Sequence, residues 1–83
     1  MMTCELIFDR EFEKDLSKLD KEMRNRILKK VFELEKYPEL RKNLIGMDIW
    51  SLRIGKYRVL HKIKHKQLQV LVLKVEHRKI MYR

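Results

Sequence analysis

The stretch Ile49–Tyr82, IWSLRIGKYRVLHKIKHKQLQVLVLKVEHRKIMY, decides the fold of this chain. Its first six residues, Ile49–Ile54, alternate apolar and polar side chains, which is the period of a half-buried strand. Gly55 and Lys56 follow, and a glycine in the first position of a two-residue loop favours a type II′ hairpin turn. Tyr57–Ile63 is then the returning strand of the predicted hairpin.

A third strand is predicted after a turn at His65–Gln67. Leu68–Val75 is almost continuously apolar, which indicates a central strand covered on both faces. Glu76–Lys79 is expected to leave the sheet, followed by a short tail. The stretch therefore predicts an antiparallel-rich sheet with arginines placed along its strands.

The N-terminal half predicts a short strand and a helical hairpin. Thr3–Phe8 has the composition of a strand, and Asp9 and Asp20 are each suited to cap a helix N-terminus. Pro38 ends the second helix, and Glu39–Asp48 connects it to the sheet. Apolar residues recur at helical spacing at Phe12, Leu16 and Leu19 in the first helix and at Met23, Ile27, Val31 and Leu34 in the second. We expect this hairpin to pack on one face of the sheet and function to lie on the other.

Charge is unevenly distributed along the 83 residues, which we expect to form a single domain, residues 1–83. Residues 1–40 carry nine Lys/Arg and ten Asp/Glu, whereas residues 41–83 carry twelve Lys/Arg and two Asp/Glu, for nets of −1 and +10. A basic field of this kind attracts a polyanion or an acidic partner.

No apolar run approaches the roughly 20 residues of a membrane span, and acids interrupt any signal-peptide core. A single cysteine, Cys4, fits a reducing compartment.

The histidines do not form a metal-binding pattern, and we expect no metal and no cofactor. His61, His65 and His77 are spread over two strands and a turn, without cysteine or carboxylate neighbours at ligand spacing. His65 is most simply an exposed turn residue. His61 is either a packed core histidine or a member of the basic face. Phosphate-binding glycine loops and nucleophile elbows are absent from the sequence.

The remaining candidate site is a set of arginines with one tyrosine. Arg53, Arg58 and Arg78 lie at or near the ends of three adjacent predicted strands, and Tyr82 follows Arg78 by four residues. Guanidinium groups bind phosphate bidentately, and several on one phosphodiester stabilise the charge that develops during its cleavage. A tyrosine can stack on a splayed RNA base.

The order of elements, together with LRIGKYRV at 52–59 and the closing His77-Arg78 and Tyr82, resembles the RelE/ParE superfamily of toxins from toxin–antitoxin modules. The similarity extends nearly from end to end. It implies an α+β fold, the compact RelE-like toxin fold, with an N-terminal strand and a two-helix hairpin on one face of an antiparallel-rich sheet.

For the RelE branch, the resemblance implies a ribosome-dependent, metal-independent mRNA endonuclease in which the ribose 2′-hydroxyl attacks the adjacent phosphate. By position, Arg58 matches the arginine that holds the scissile phosphate, and Arg78 the one that stabilises the transition state or protonates the leaving oxygen. Tyr82 matches a tyrosine that orients the base or takes part in proton transfer. Further RNA contacts are expected from the set Arg53, Lys56, His61 and Lys79.

Two positions depart from the RelE pattern. The strand that carries lysines in RelE has Ile49 and Ser51 here, so a candidate general base is missing. His77 and His61 are the natural substitutes, because an imidazole titrates near neutrality.

The leading hypothesis is thus a cytoplasmic mRNA-cleaving toxin that acts on the ribosome and its mRNA. An antitoxin that covers the basic face would hold it inactive in a hetero-oligomer. The alternatives are a ParE-like inhibitor of DNA gyrase without nuclease activity, which the missing lysines favour, and a degenerate toxin fold that only binds RNA or antitoxin.

Overall fold

The structure, a computed structural model, describes residues 4–37, 49–64 and 66–77. Two helices and four strands follow one another in the α+β order expected from the sequence. In chain order they are β1 (Glu5–Phe8), α1 (Arg10–Ser17), α2 (Lys21–Phe32), β2 (Ile49–Ile54), β3 (Tyr57–Lys64) and β4 (Gln69–His77), with a short 3₁₀ turn at Glu33–Glu35 after α2.

Both predicted helix caps are confirmed. The carboxylate of Asp9 accepts a hydrogen bond from the Glu11 amide (2.9 Å), and that of Asp20 accepts one from the Met23 amide (2.8 Å). Each bond satisfies an amide that the first turn of a helix leaves unpaired. The helices are therefore joined by only three residues, Lys18–Asp20.

The four strands form one sheet in the order β1-β4-β3-β2. Strand β1 is parallel to β4, and the other two pairs are antiparallel. Strand β4 is central, as predicted from its long apolar run, but among the described residues the helices cover only one of its faces. Among the described helices, none is long and apolar enough to span a membrane.

The helices pack on one face of the sheet and bury the core there. Helix α1 lies mainly against β4, and α2 against β2. Phe8 of β1 stacks on Phe12 of α1 with ring centroids 5.5 Å apart. The core consists of Phe12, Ile27, Val31 and Leu34 from the helical segment and Leu52, Ile54, Val59, Val70, Val72 and Val75 from the sheet.

A β-bulge in β4 changes which residues face the helices. His61 of β3 lies opposite Val72, whereas the preceding Leu60 lies opposite Lys74, so β4 contains one extra residue at this point. Val72 and Val75 are both buried as a result. The Val75 amide donates to the carboxylate of Asp15 in α1 (3.1 Å), which fixes the bulged strand to the helix.

Several element boundaries differ from the sequence-based expectation. Strand β4 begins at Gln69 because Leu68 has a left-handed backbone (φ 53°) and belongs to the turn. The prediction that Glu76 and His77 leave the sheet is wrong, since they pair with Arg58 and Tyr57. Helix α2 ends at Phe32 and a 3₁₀ turn follows, so the helix is shorter than the predicted end at Pro38. Thr3, Pro38 itself, His65 and the predicted connection at 39–48 lie outside the described residues.

We expect Asp15→Ala to lower the free energy of unfolding by about 1–2 kcal/mol, because it leaves the part-buried Val75 amide without its charged acceptor. Urea unfolding measures this loss. Lys14→Ala, an exposed change on the same helix, is the control and should stay within about 0.5 kcal/mol of the wild type. Equal stability of both variants would mean that the Asp15–Val75 bond does not hold β4 in place.

Candidate functional site

The sheet face opposite the helices, here called the distal face, carries a concentration of positive charge. Strand alternation and the observed register place five described cations on it, namely Arg53, Arg58, Lys62, Lys64 and Lys74. The acids that the described strands add to this face are Glu5 and Glu76. The bulge is responsible for part of this pattern, because it turns Lys74 and Glu76 away from the core.

Arg53 and Arg58 lie directly opposite each other on β2 and β3. Like charges in this position destabilise a sheet. Glu76 lies opposite Arg58 on its other side, but its carboxylate is ion-paired with Lys74 (3.6 Å). The two arginines are thus held close together without an ion pair to any described carboxylate.

The Nε atom of Arg58 is buried and has no hydrogen-bond partner among the described residues. The residue as a whole is only partly buried. Because Nε itself is shielded from solvent, an anion would bind the remaining, accessible part of this guanidinium.

Lys62 and Lys74 lie on the distal face, and neither was among the site residues predicted from the sequence. Lys62 lies directly opposite Ile49, and Lys74 lies in the same cross-strand row as Ser51, with Leu60 between them. Neighbouring strands therefore supply lysines beside the two β2 positions that lack them. The hairpin turn and the alternation of β3 could have placed Lys62, whereas the position of Lys74 depends on the register of β4, which its apolar run does not specify.

The two histidines considered as substitutes for the missing lysines lie on the helix side of the sheet. His61 is fully buried, opposite Trp50 and Val72. The expectation that His61 contacts RNA is therefore wrong, since no part of it is exposed, and it is a core histidine. The alternation of β3 carried this signal, because His61 shares its face with Val59.

His77 packs edge-to-face against Tyr57, with ring centroids 5.1 Å apart. Tyr57 in turn packs against the core. The structure therefore does not place the side chain of His77 with that of Arg58, although the two residues are on adjacent strands. Its predicted catalytic role gains no support from this position.

Lys56 is exposed in the hairpin turn. The turn has the predicted form: Gly55 has a φ of 58°, and among described non-glycine residues only Leu68 has a positive φ.

Arg78, Lys79 and Tyr82 lie outside the described residues, so their roles stay predictions. The described chain ends at His77, one residue before Arg78. Within residues 4–37, 49–64 and 66–77, no three His, Cys, Asp or Glu side chains are grouped so that they could hold a metal ion.

Comparison with known families identifies this architecture. Residues 6–82 match the family model described as the ParE toxin of the type II toxin–antitoxin system parDE. The chain belongs to the RelE/ParE superfamily of type II toxins. It is thus the toxin of a toxin–antitoxin system, as the sequence motifs predicted. Among curated proteins, no sequence is significantly similar to it.

Solved structures of RelE toxins have the same fold. The toxin–antitoxin complex RelBE2 from Mycobacterium tuberculosis matches with a TM-score of 0.81 and 26% identity over 94% of both chains. The archaeal RelE–RelB complex from Pyrococcus horikoshii gives 0.83 and 28%, over 93% of this chain and 97% of the other. Isolated E. coli RelE gives 0.79 and 26%, over 89% and 83%. The family model is named for ParE, whereas these structures are named for RelE. The comparisons therefore establish the superfamily but do not distinguish its RelE branch from its ParE branch.

We expect Arg53→Gln to stabilise this toxin by a few tenths of a kcal/mol up to about 1 kcal/mol, because it removes the like charge opposite Arg58. The gain should shrink between about 0.01 M and about 1 M salt, where the Debye length falls from about 30 Å to about 3 Å. Urea unfolding at both salt concentrations measures it.

Lys64→Gln is the matched control, because Lys64 faces Gln69 rather than a cation. A destabilised Arg53→Gln variant, or a gain no larger than that of Lys64→Gln, would show that Arg53 and Arg58 do not repel each other.

Proposed function

We propose that this toxin is a ribosome-dependent mRNA endonuclease of the RelE type that inhibits translation. The observation that carries the proposal is the placement of Arg58. It lies on the distal face opposite Arg53, has an unpaired buried Nε, and forms no ion pair with a described residue. A phosphodiester is an anion that such a pair of guanidinium groups is suited to bind.

Cleavage would proceed by attack of a ribose 2′-oxygen on the adjacent phosphorus. The bond between phosphorus and the 5′-oxygen breaks, which leaves a 2′,3′-cyclic phosphate on one product and a 5′-hydroxyl on the other. The 2′-hydroxyl gives up its proton to a base, and the departing oxygen gains one. Arg58 would stabilise the negative charge that builds up on the phosphate oxygens.

Neighbouring side chains would extend this binding surface. Lys62 and Lys74 add positive charge on the same face, in the cross-strand rows of Ile49 and Ser51. Arg78 and Tyr82 keep their predicted roles in transition-state stabilisation and base orientation. Because the cations themselves offset the charge of the phosphate, this mechanism calls for no metal ion.

The partners follow from the same surface. Relatives of this chain have been crystallised as RelB–RelE antitoxin–toxin complexes. We infer that a cognate antitoxin binds this toxin in a hetero-oligomer and covers the distal face, which would keep the ribosome and mRNA away. The site of action would be the cytoplasm, where translating ribosomes are.

Inhibition of DNA gyrase is the second candidate, and two observations favour it. The matching family model is that of ParE, and Ile49 and Ser51 leave β2 without the lysines of RelE. This candidate predicts stalled gyrase and broken DNA with intact mRNA. A degenerate toxin that only binds RNA or antitoxin would allow normal growth at high expression.

We expect Arg58→Ala to lower mRNA cleavage on translating ribosomes by about 10²–10³-fold, which is typical of the loss of one group that stabilises a transition-state charge. Arg58→Lys should retain part of the activity, because it keeps the charge but not the bidentate geometry. Primer extension locates and quantifies the cleaved ends.

Lys18→Ala is the control for this experiment, because Lys18 is exposed in the connection between the helices. It should leave cleavage unchanged. Undiminished cleavage by Arg58→Ala would refute the proposed role of Arg58. Growth arrest by the wild type with intact mRNA and inhibited gyrase would assign the toxin to the ParE type.

A further inference from the structure

A second basic site lies at the end of the β2–β3 hairpin, where α2 passes over the turn. It is a groove of about 490 Å³, here called the turn groove, and is lined by Arg26, Lys29, Lys30, Glu33, Arg53, Ile54 and Gly55. Its volume falls within the range of ligand sites, about 300–1,000 Å³. The α2 residues that line this groove are not among the motif residues of the family resemblance or the predicted catalytic residues.

The fold holds the cations of the turn groove in place. On α2, Lys29 and Lys30 follow Arg26 by three and four residues, so all three side chains share one side of the helix. The guanidinium of Arg26 lies over the turn, since a Cβ on Gly55 would be 3.7 Å from its Nη2 atom and 3.9 Å from its Nη1 atom. Exposed Arg53 completes the groove from the strand side.

One acid is present against these four cations. Glu33 forms an ion pair with Lys30 at 3.9 Å, and both side chains are more than 40% exposed, so this pair contributes little. Arg26 and Lys30 are like charges at a spacing that destabilises a helix. Lys29 and Lys30, however, lie in the last turn of α2, where the helix dipole favours positive charge, so it is not a stability cost but the excess of three cations that favours binding of an anion.

The lining favours a nucleic-acid backbone over a protein. Ile54 is the apolar residue of the groove, and it is only 4% exposed. A protein segment bound here would lack the apolar centre on which protein interfaces depend. Phosphates need only cations, and those of the groove include two arginines.

We propose that the turn groove binds backbone phosphates of the same RNA strand whose scissile phosphate lies at Arg58. Arg53 lines the groove and also lies directly opposite Arg58, so it connects the two sites around the edge of the sheet. The groove would hold a neighbouring part of the strand and position it on the distal face. This inference rests on the proposed function for its choice of RNA, whereas binding in the groove requires no cleavage.

The test compares the Arg26→Gln/Lys29→Gln double variant with Lys14→Gln/Lys18→Gln, which removes two exposed charges from the other helical segment. The probe is a single-stranded RNA with 2′-O-methyl riboses, which cannot undergo 2′-oxygen attack. Fluorescence anisotropy gives its Kd over a range of salt concentrations. Thermal unfolding checks that each variant is folded.

For the Arg26→Gln/Lys29→Gln variant, here called the groove variant, we plot log K for RNA binding against the logarithm of the salt concentration. We expect the magnitude of this slope to be smaller than that of the wild type by about 1.4, at roughly 0.7 per lost phosphate contact. Affinity at about 0.1 M salt should then fall by about 10–30-fold. The control variant should change neither quantity by more than a small fraction of this. If the double variant does not fold, Lys29→Gln alone should give about half the change in slope.

Equal losses in both double variants would overturn the proposal, because net charge alone would then account for binding. Unchanged RNA affinity of the groove variant with weaker binding of poly-glutamate would also overturn it, in favour of an acidic protein segment. The assay is independent of catalysis, so a wild type that binds this RNA but leaves mRNA intact contradicts the nuclease proposal and not the groove.

Discussion

The bulge in β4 is the constraint on which the arrangement of this toxin depends. Before the bulge, Val70 and Val72 face the helices, and after it Val75 does. A regular strand would instead turn Lys74 toward the core, where an unpaired ammonium group is very costly to bury. The carboxylate of Asp15 binds the Val75 amide just beyond the bulge. One backbone irregularity, held by one helix, thus separates the buried core face from the face that carries the strand cations.

The two faces of the sheet have opposite energetic roles. The helix side supplies the stability, since its ten core residues are almost completely shielded from water. The distal face lowers that stability, because Arg53 and Arg58 repel each other across β2 and β3. A pair that opposes folding and has no described acidic partner is best explained by what it binds.

Local signals in the sequence were sufficient for much of the fold. The caps at Asp9 and Asp20 and the alternation of β2 depend on neighbouring residues, and all three were predicted correctly. The faces of β4 were not predictable, because an uninterrupted apolar run has no alternation from which a bulge could be located. The position of Lys74 emerged only from the register of β4, whereas that of Lys62 follows from the two-residue hairpin turn and the alternation of β3. His61 was left open between core and basic face, although the pattern of β3 favoured the core.

The central claim is that the guanidinium of Arg58 is a phosphate site, and its Nε–H group allows a direct test by NMR. The free toxin should give an Arg58 Nε–H resonance that is identified by its loss in Arg58→Lys. Titration with 2′-O-methyl RNA should shift this resonance and that of Arg53 along one saturable curve, while Arg10 on α1 stays unchanged. An Arg58 resonance that does not move when the RNA is fully bound would contradict the account.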